Sequence, residues 1–258
     1  MDSNTIVKEI AINMPDAIRV FEKFGIDYCC GGSKTLAEAC EGTGASPQEV
    51  IEQLEQSARP GAETDDRTWM MKSLHDLQTH ILDTHHVFTR QELGRLGALF
   101  VKVCARHGKN HPELLELQEV YFALRNDLIP HMLKEEQVLF PFIESMEIAI
   151  GKRQAVPQPF FGTVNHPVRM MMMEHDRVGD LLRQLRQISS DYQPPADACM
   201  SYQALFHGLA GLEADLHRHI HLENNMLFPR AAEMEQSAQR PWVETMGEQE
   251  HRCFSPRE

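Results

Sequence analysis

Positive charge is scarce in this chain: 25 lysines and arginines stand against 38 aspartates and glutamates, a formal net charge of −13 over 258 residues. Binding along a phosphate backbone needs clustered cations, so this balance argues against a nucleic-acid partner, and the 7% aromatic content points the same way. Acidity of this kind serves solubility. Long apolar runs are missing too. None approaches the roughly 18 residues a membrane span requires, and no membrane partner is expected. The start, MDSNTIVKEI, has neither the basic head nor the apolar core of a secretory signal, which predicts a cytoplasmic protein. The six cysteines are scattered except for the neighbours Cys29 and Cys30, so no disulfide framework is suggested, and free thiols are expected in a reducing compartment. Period-two alternation, the mark of a strand, occurs nowhere. With an ordinary 42% of apolar residues, the chain reads as an all-α protein.

Histidine is what the chain has in excess, with 14. They fall on a helical plan. Residues 1–57 predict a small helical domain: one helix opens at Pro15 and ends near Gly25, and a short one capped by Ser33 or Thr35 ends near Gly42. A third starts at "SPQE" (46–49), where a serine cap, a proline at the first helical position and Glu49 make a capping box. "SARPGAETDDR" and its surroundings, 58–68, read as a linker. From 69 to 258 four long segments follow, about 67–106, 113–149, 167–190 and 197–237, the first with a break expected near Gly94–Gly97 or at His107–Gly108. Apolar stripes such as Leu74–Leu77–Ile81, Leu124–Leu128, Val178–Leu182–Leu185 and Leu212–Leu216 recur at three, four and seven residues. An antiparallel four-helix bundle is the economical architecture. "GKRQAVPQPFFGTVNHP" (151–167) is an irregular connection, long enough to cross the bundle or form a lid.

Two stretches repeat. "HMLKEEQVLFP" runs from His131 to Pro141, and "HIHLENNMLFP" runs from His219 to Pro229, 88 residues further on. Each places a histidine and a glutamate one helical turn apart on one face, so that both side chains reach a common point. Carried along the helix, the stripes Leu124–Leu128 and Leu212–Leu216 arrive at His131–Glu135 and His219–Glu223. Both carboxylates therefore lie on the buried seam, where an unpaired charge is costly and a metal ion removes the cost. His217 and His221 fall off the repeat. On the other two helices the stripes lead to His85 and His175, with His86, about 100° further round, as the alternative to His85. Four imidazoles and two carboxylates exceed the needs of one zinc and suit two metals bridged by both glutamates. The donor set, without thiolate, favours iron or manganese. Asp127 and Asp215, also 88 residues apart, either hydrogen-bond the ligand imidazoles or cap and solvate their helices. Glu174 reads as part of a solvated face rather than an iron entry route, the run Met170–Met173 as core filler, and the remaining histidines as surface or packing residues.

"DYCCGG" (27–32) sets Cys29 and Cys30 ahead of a helix start, a position that favours the thiolate. Adjacent cysteines close a disulfide only under strain, so the pair reads either as a redox or metal-transfer handle or as simple packing.

Together "DYCCGG", "HMLKEEQVLFP", "MMMMEHD" and "HIHLENNMLFP", in that order and over nearly the whole chain, resemble the iron-sulfur cluster repair di-iron proteins, the RIC family. The resemblance implies a hemerythrin-like bundle behind a small N-terminal domain, in a cytoplasmic stress-response protein that forms homodimers. Its di-iron centre would restore iron-sulfur clusters damaged by oxidative or nitrosative stress. Carried over, the iron ligands would be His85, His131, Glu135, His175, His219 and Glu223, both glutamates bridging, with an oxo or hydroxo bridge left open. Cys29 and Cys30 would be the thiols that accept iron or meet the damaged client. Oxygen-carrying hemerythrins share the fold but use a further histidine. Binding or reduction of oxygen or nitric oxide at the open metal positions is the alternative function, so that a turnover enzyme is less expected than an iron donor.

Overall fold

The computed structural model describes residues 1–14, 16–57 and 65–239; Pro15, most of the expected linker and the last residues of the expected bundle domain lie outside them. The small unit holds α1 (Val7–Asn13), α2 (Ala17–Phe24), α3 (Leu36–Glu41) and α4 (Pro47–Ser57), and α5 (Asp65–Met71) leads into the bundle. The bundle helices are α6 (74–107), α7 (113–151), α8 (Asn165–Ile188) and α9 (200–239). No strand forms among the described residues.

Local chemistry sets the ends. Gly25 closes α2 in the left-handed conformation, φ 65°, open to glycine without steric cost. Of the two expected caps for α3, Thr35 is the one used, in a capping box with Glu38. Residues 65–68, expected in the linker, are already helical, and α5 packs against α1. The break in the first long segment falls not at Gly94–Gly97, which run through inside α6, but just before Leu74, where the Ser73 hydroxyl accepts the Asp76 N–H. There the Glu147 carboxylate accepts the N–H groups of Leu74 at 2.8 Å and His75 at 2.9 Å. Glu235 does the same for α8, accepting the Val164 N–H at 2.9 Å. Glu147 and Glu235 are again 88 residues apart, so the duplication reaches beyond the motifs into the caps.

Consecutive bundle helices run antiparallel, with α6 lying on α9 and α7 on α8. Three of them contain a turn of π-helix: Ile81–His86 in α6, Glu135–Leu139 in α7 and Glu223–Leu227 in α9. In the two motif helices the Phe140 N–H bonds the Glu135 carbonyl and the Phe228 N–H bonds the Glu223 carbonyl, each five residues back. Pro141 and Pro229 follow directly. A proline ring clashes with the carbonyl four residues before it and offers it no N–H, and widening the turn relieves both. The shared Leu-Phe-Pro ending is thus the sequence of a π turn.

Two apolar clusters fill the interior. One unites the small unit with Leu93, Leu124, Leu182, Leu212 and their neighbours; the other gathers Leu77, Ile81, Phe140, Ile143, Met226 and Phe228 at the opposite end. A layer of buried histidine and glutamate separates them. Of the methionine run only Met171 is core; Met170, Met172 and Met173 are exposed.

Candidate metal centre

Six side chains meet in that layer, in two groups that share both carboxylates. One comprises His86, Glu135, His219 and Glu223, the other His131, Glu135, His175 and Glu223, and within each group the donor atoms lie within 4.8 Å of one another. His86 comes from α6, His131 and Glu135 from α7, His175 from α8, and His219 and Glu223 from α9. All six are buried, the two glutamates with 0% exposure.

The hydrogen bonds outside the layer decide what points into it. His86 Nδ1 donates to Glu136 Oε1 at 2.6 Å, and Glu136 is held in turn by Arg90 at 2.7 and 2.8 Å. His131 Nδ1 donates to Glu174 Oε2 at 2.8 Å, with Lys134 on the other carboxylate oxygen. His175 Nδ1 donates to Asn224 Oδ1 at 2.9 Å. A neutral imidazole has one proton, so with Nδ1 donating, the neutral form of these three rings presents an Nε2 lone pair to the layer. The Nε2 atoms face each other: His131 and His175 Nε2 are 3.0 Å apart, and His86 Nε2 is 3.2 Å from His219 Nε2, which also lies 3.0 Å from Glu223 Oε1. Between them stand carboxylate oxygens, with His131 Nε2 3.2 Å from Glu135, His175 Nε2 3.2 Å from Glu223, and His86 Nε2 3.4 Å from Glu135. Both Glu135 oxygens and Glu223 Oε2 accept no hydrogen bond. Buried acceptors with no donor cost about 1–3 kcal/mol each, and here they converge from α7 and α9.

The electrostatics show the same deficit of positive charge. Burial and the neighbouring Glu223 push the Glu135 carboxyl up, yet His131 and His86 hold it below its ordinary value. Burial opposes a charged His131, but Glu135, Glu174 and Glu223 prevail and push it up to about 10. A divalent cation would satisfy these groups without a proton. The donor set fits one in each group, with Glu135 and Glu223 common to both.

His85 belongs to neither group, contrary to the expectation. Its Nδ1 lies 2.9 Å from Asp215 Oδ1, and its ring stacks on His219 at 5.6 Å. The stripe Leu74–Leu77–Ile81 leads to His85 only at 3.6 residues per turn. The π turn adds a residue, shown by the Val87 N–H bonding the Leu82 carbonyl five back, and rotates His86 inward. A signal for this was present. Buried Thr89, Leu93, Leu96 and Phe100 follow His86 with the spacing at which buried Val178, Leu182, Leu185 and Ser189 follow His175. Reading upstream from Leu93 would have reached His86.

Glu174 is no solvated bystander, since it fixes His131. Of the aspartate pair, Asp215 holds His85, and Asp127 takes Arg177 at 2.6 Å; neither touches the four converging imidazoles. Glu136 and Asn224 went unnoticed, although they occupy equivalent places in the repeat, 88 residues apart.

The cysteine loop lies against this layer. Asn224 Nδ2 donates to the Cys29 carbonyl at 3.2 Å and Asn225 Nδ2 to the Tyr28 carbonyl at 3.0 Å. A Cβ on Gly32 would stand 2.7 Å from the Tyr28 carbonyl and 3.0 Å from Asn225, which is why glycine sits there. Cys29 is buried and Cys30 half-buried, their sulfurs 3.8 Å apart, beside a cavity of about 680 Å³ also lined by Asp27, Arg183 and His217. The expected thiolate does not hold for Cys29. Its thiol donates to Asp27 at 3.3 Å, and Cys30, burial and the Asp27 charge all push it up. The helix dipole is remote, because α3 begins only at Leu36.

Fold and donor set define a hemerythrin-like metal bundle. The Hemerythrin HHE cation binding domain model matches residues 77–231, and the ScdA N-terminal model, described as a domain of unknown function (DUF542), matches residues 3–58. The chain is 33% identical over 228 residues to a probable iron-sulfur cluster repair protein of Haemophilus influenzae, covering 87% of this chain and 95% of the relative. It is 30% identical to the iron-sulfur cluster repair protein ScdA of Staphylococcus haemolyticus, over 88% of this chain and 97% of the relative. Against the iron-sulfur cluster repair protein YtfE of Salmonella schwarzengrund the identity is 34%, over 86% and 94%. The chain belongs to this family of iron-sulfur cluster repair proteins.

Proposed function

We propose that this protein restores iron-sulfur clusters damaged by oxidative or nitrosative stress, donating iron from a pair of ions held by His86, His131, Glu135, His175, His219 and Glu223. The observation that carries this reading is the convergence of four imidazoles, three of them fixed through Nδ1, and two carboxylates on a buried space where both Glu135 oxygens and Glu223 Oε2 accept no hydrogen bond. Iron suits the nitrogen and oxygen donors better than a thiophilic ion, and two ions suit two donor groups with common carboxylates. The relatives' names supply the task. In this reading His86 takes the ligand role expected of His85, and Glu135 and Glu223 bridge. Two imidazoles and two shared carboxylates would hold each ion, a donor set small enough that iron could be given up. Glu136, Glu174 and Asn224 hold the rings in the binding tautomer.

The division into a 1–57 unit and a bundle from 69 onward separates client contact from metal storage, and Cys29 and Cys30 are the thiols that meet the client or receive iron. The protein acts in the cytoplasm, as a homodimer, during stress. Among the described residues no helix is long and apolar enough to cross a membrane, which agrees with a mobile donor.

The test is transfer. Iron-loaded protein, incubated with a cluster enzyme inactivated by nitric oxide or peroxide, is expected to recover more activity than equal free iron does. Recovery equal to the free-iron control contradicts the reading. Glu174→Gln keeps a hydrogen-bond acceptor for His131 while removing the charge. It is expected to weaken iron binding roughly tenfold or more, the scale on which partners of ligand imidazoles act, as read by competition with a chelator.

A further inference from the structure

The two halves of the bundle hold their first-helix histidines in equivalent ways with different chemistry. In the first half the residue after the bridging carboxylate is Glu136, which accepts His86 Nδ1 and is anchored by Arg90. In the second half the equivalent residue is Asn224, which accepts His175 Nδ1 at 2.9 Å. A carboxylate has no proton to give, whereas the Asn224 amide donates to the Cys29 carbonyl at 3.2 Å. The next pair diverges likewise: Gln137 becomes Asn225, which donates to the Tyr28 carbonyl at 3.0 Å. The repeat thus departs from itself where the second copy meets the cysteine loop. The loop also rests on α8 one turn beyond His175, since Cys30 Sγ would lie 3.9 Å from a Cβ on Gly179.

We propose that Asn224 is a positioning residue that couples the Cys29–Cys30 loop to His175, so that moving the loop loosens the metal held by His131 and His175 and leaves the metal held by His86 and His219 in place. This inference rests on the two-ion reading above. His86 and His131 are fixed by carboxylates that are themselves tied to Arg90 and Lys134, within the bundle. Of the three rings with a partner at Nδ1, His175 is the one whose partner also grips the small unit. Displacing the loop removes the restraint on the Asn224 amide, frees the His175 ring to turn, and withdraws one Nε2 lone pair from one group only. The ion released is the one on the cysteine side.

The experiment is anaerobic stopped-flow release of iron from the full-length loaded protein into excess chromophoric chelator, after iron analysis and circular dichroism of each variant. Wild type is expected to release its iron in two phases of equal amplitude. Asn224→Ala is expected to speed one phase about tenfold or more and to leave the other unchanged. Asn224→Asp, which still accepts from His175 Nδ1 but cannot donate to Cys29, loses the same restraint and is expected to speed that single phase, by less than Asn224→Ala does. Gly32→Ala, which pushes the loop against Asn225, is expected to speed the same single phase in wild type and to have no effect in the Asn224→Asp background, a coupling that two independent defects would not give. Equal acceleration of both phases, no acceleration in Asn224→Ala, or an undiminished Gly32→Ala effect in Asn224→Asp would each overturn the proposal. Wild type that loads fewer than two irons would overturn the two-ion reading itself, and this inference with it.

Discussion

Glu223→Ala is expected to empty both metal positions at once, and Glu135→Ala to do the same. Each carboxylate belongs to both donor groups, so its removal takes one ligand from each ion and the charge that balances them. Bound iron should fall from two per chain to near none, measured by metal analysis after gel filtration. Loss of the metal should also appear in stability. An ion present at a thousand times its dissociation constant raises unfolding free energy by about 4 kcal/mol, and a variant that cannot bind it forfeits that gain. Added iron should therefore raise the melting temperature of wild type and leave that of Glu223→Ala where it was. If either variant kept one full equivalent of iron, the carboxylates would not bridge, and each would serve a single ion instead.

The second large effect separates neighbours. His86→Ala should lose the ion it shares with His219 and keep about half the iron, whereas His85→Ala should keep all of it. The cost of His85→Ala falls on the fold: it breaks the 2.9 Å bond to Asp215, worth about 1 kcal/mol in a partly buried pair. Measured on both variants, iron content should fall in His86→Ala alone, whereas in His85→Ala the urea midpoint should fall with the iron content intact. The reverse pattern would mean that α6 continues through residues 81–86 without the π turn.

The leucine stripes fixed four helices, and the doubled His-x-x-x-Glu motif brought His131, Glu135, His219 and Glu223 together, because both depend on the helical period alone. The stripe Val178–Leu182–Leu185 places His175 in the same layer for the same reason. The stripe through Ile81 points to His85 rather than His86 because it crosses a turn whose period is not 3.6. In α7 and α9 a following proline announces such a turn; in α6 no proline follows, and only the downstream stripe through Leu93 and Leu96 carries the register. Glu136 and Asn224, and the role of Glu174, are hidden from the sequence for a different reason. Each lies beside a ligand or bridging residue in the chain but bonds to an imidazole on another helix, a relation that depends on helix pairing and leaves no periodic trace. The Cys29 thiol was misjudged because its nearest charge is Asp27, two residues away, and not the helix that begins at Leu36.

The shared two-ion shell is tested most directly by anomalous diffraction at the iron edge. Crystals of the loaded protein should show two peaks roughly 3.5–4 Å apart, one between the Nε2 atoms of His86 and His219 and one between those of His131 and His175, with a Glu135 and a Glu223 oxygen reaching each. A single peak, or density gathered at Cys29 and Cys30 with the layer left bare, would contradict it.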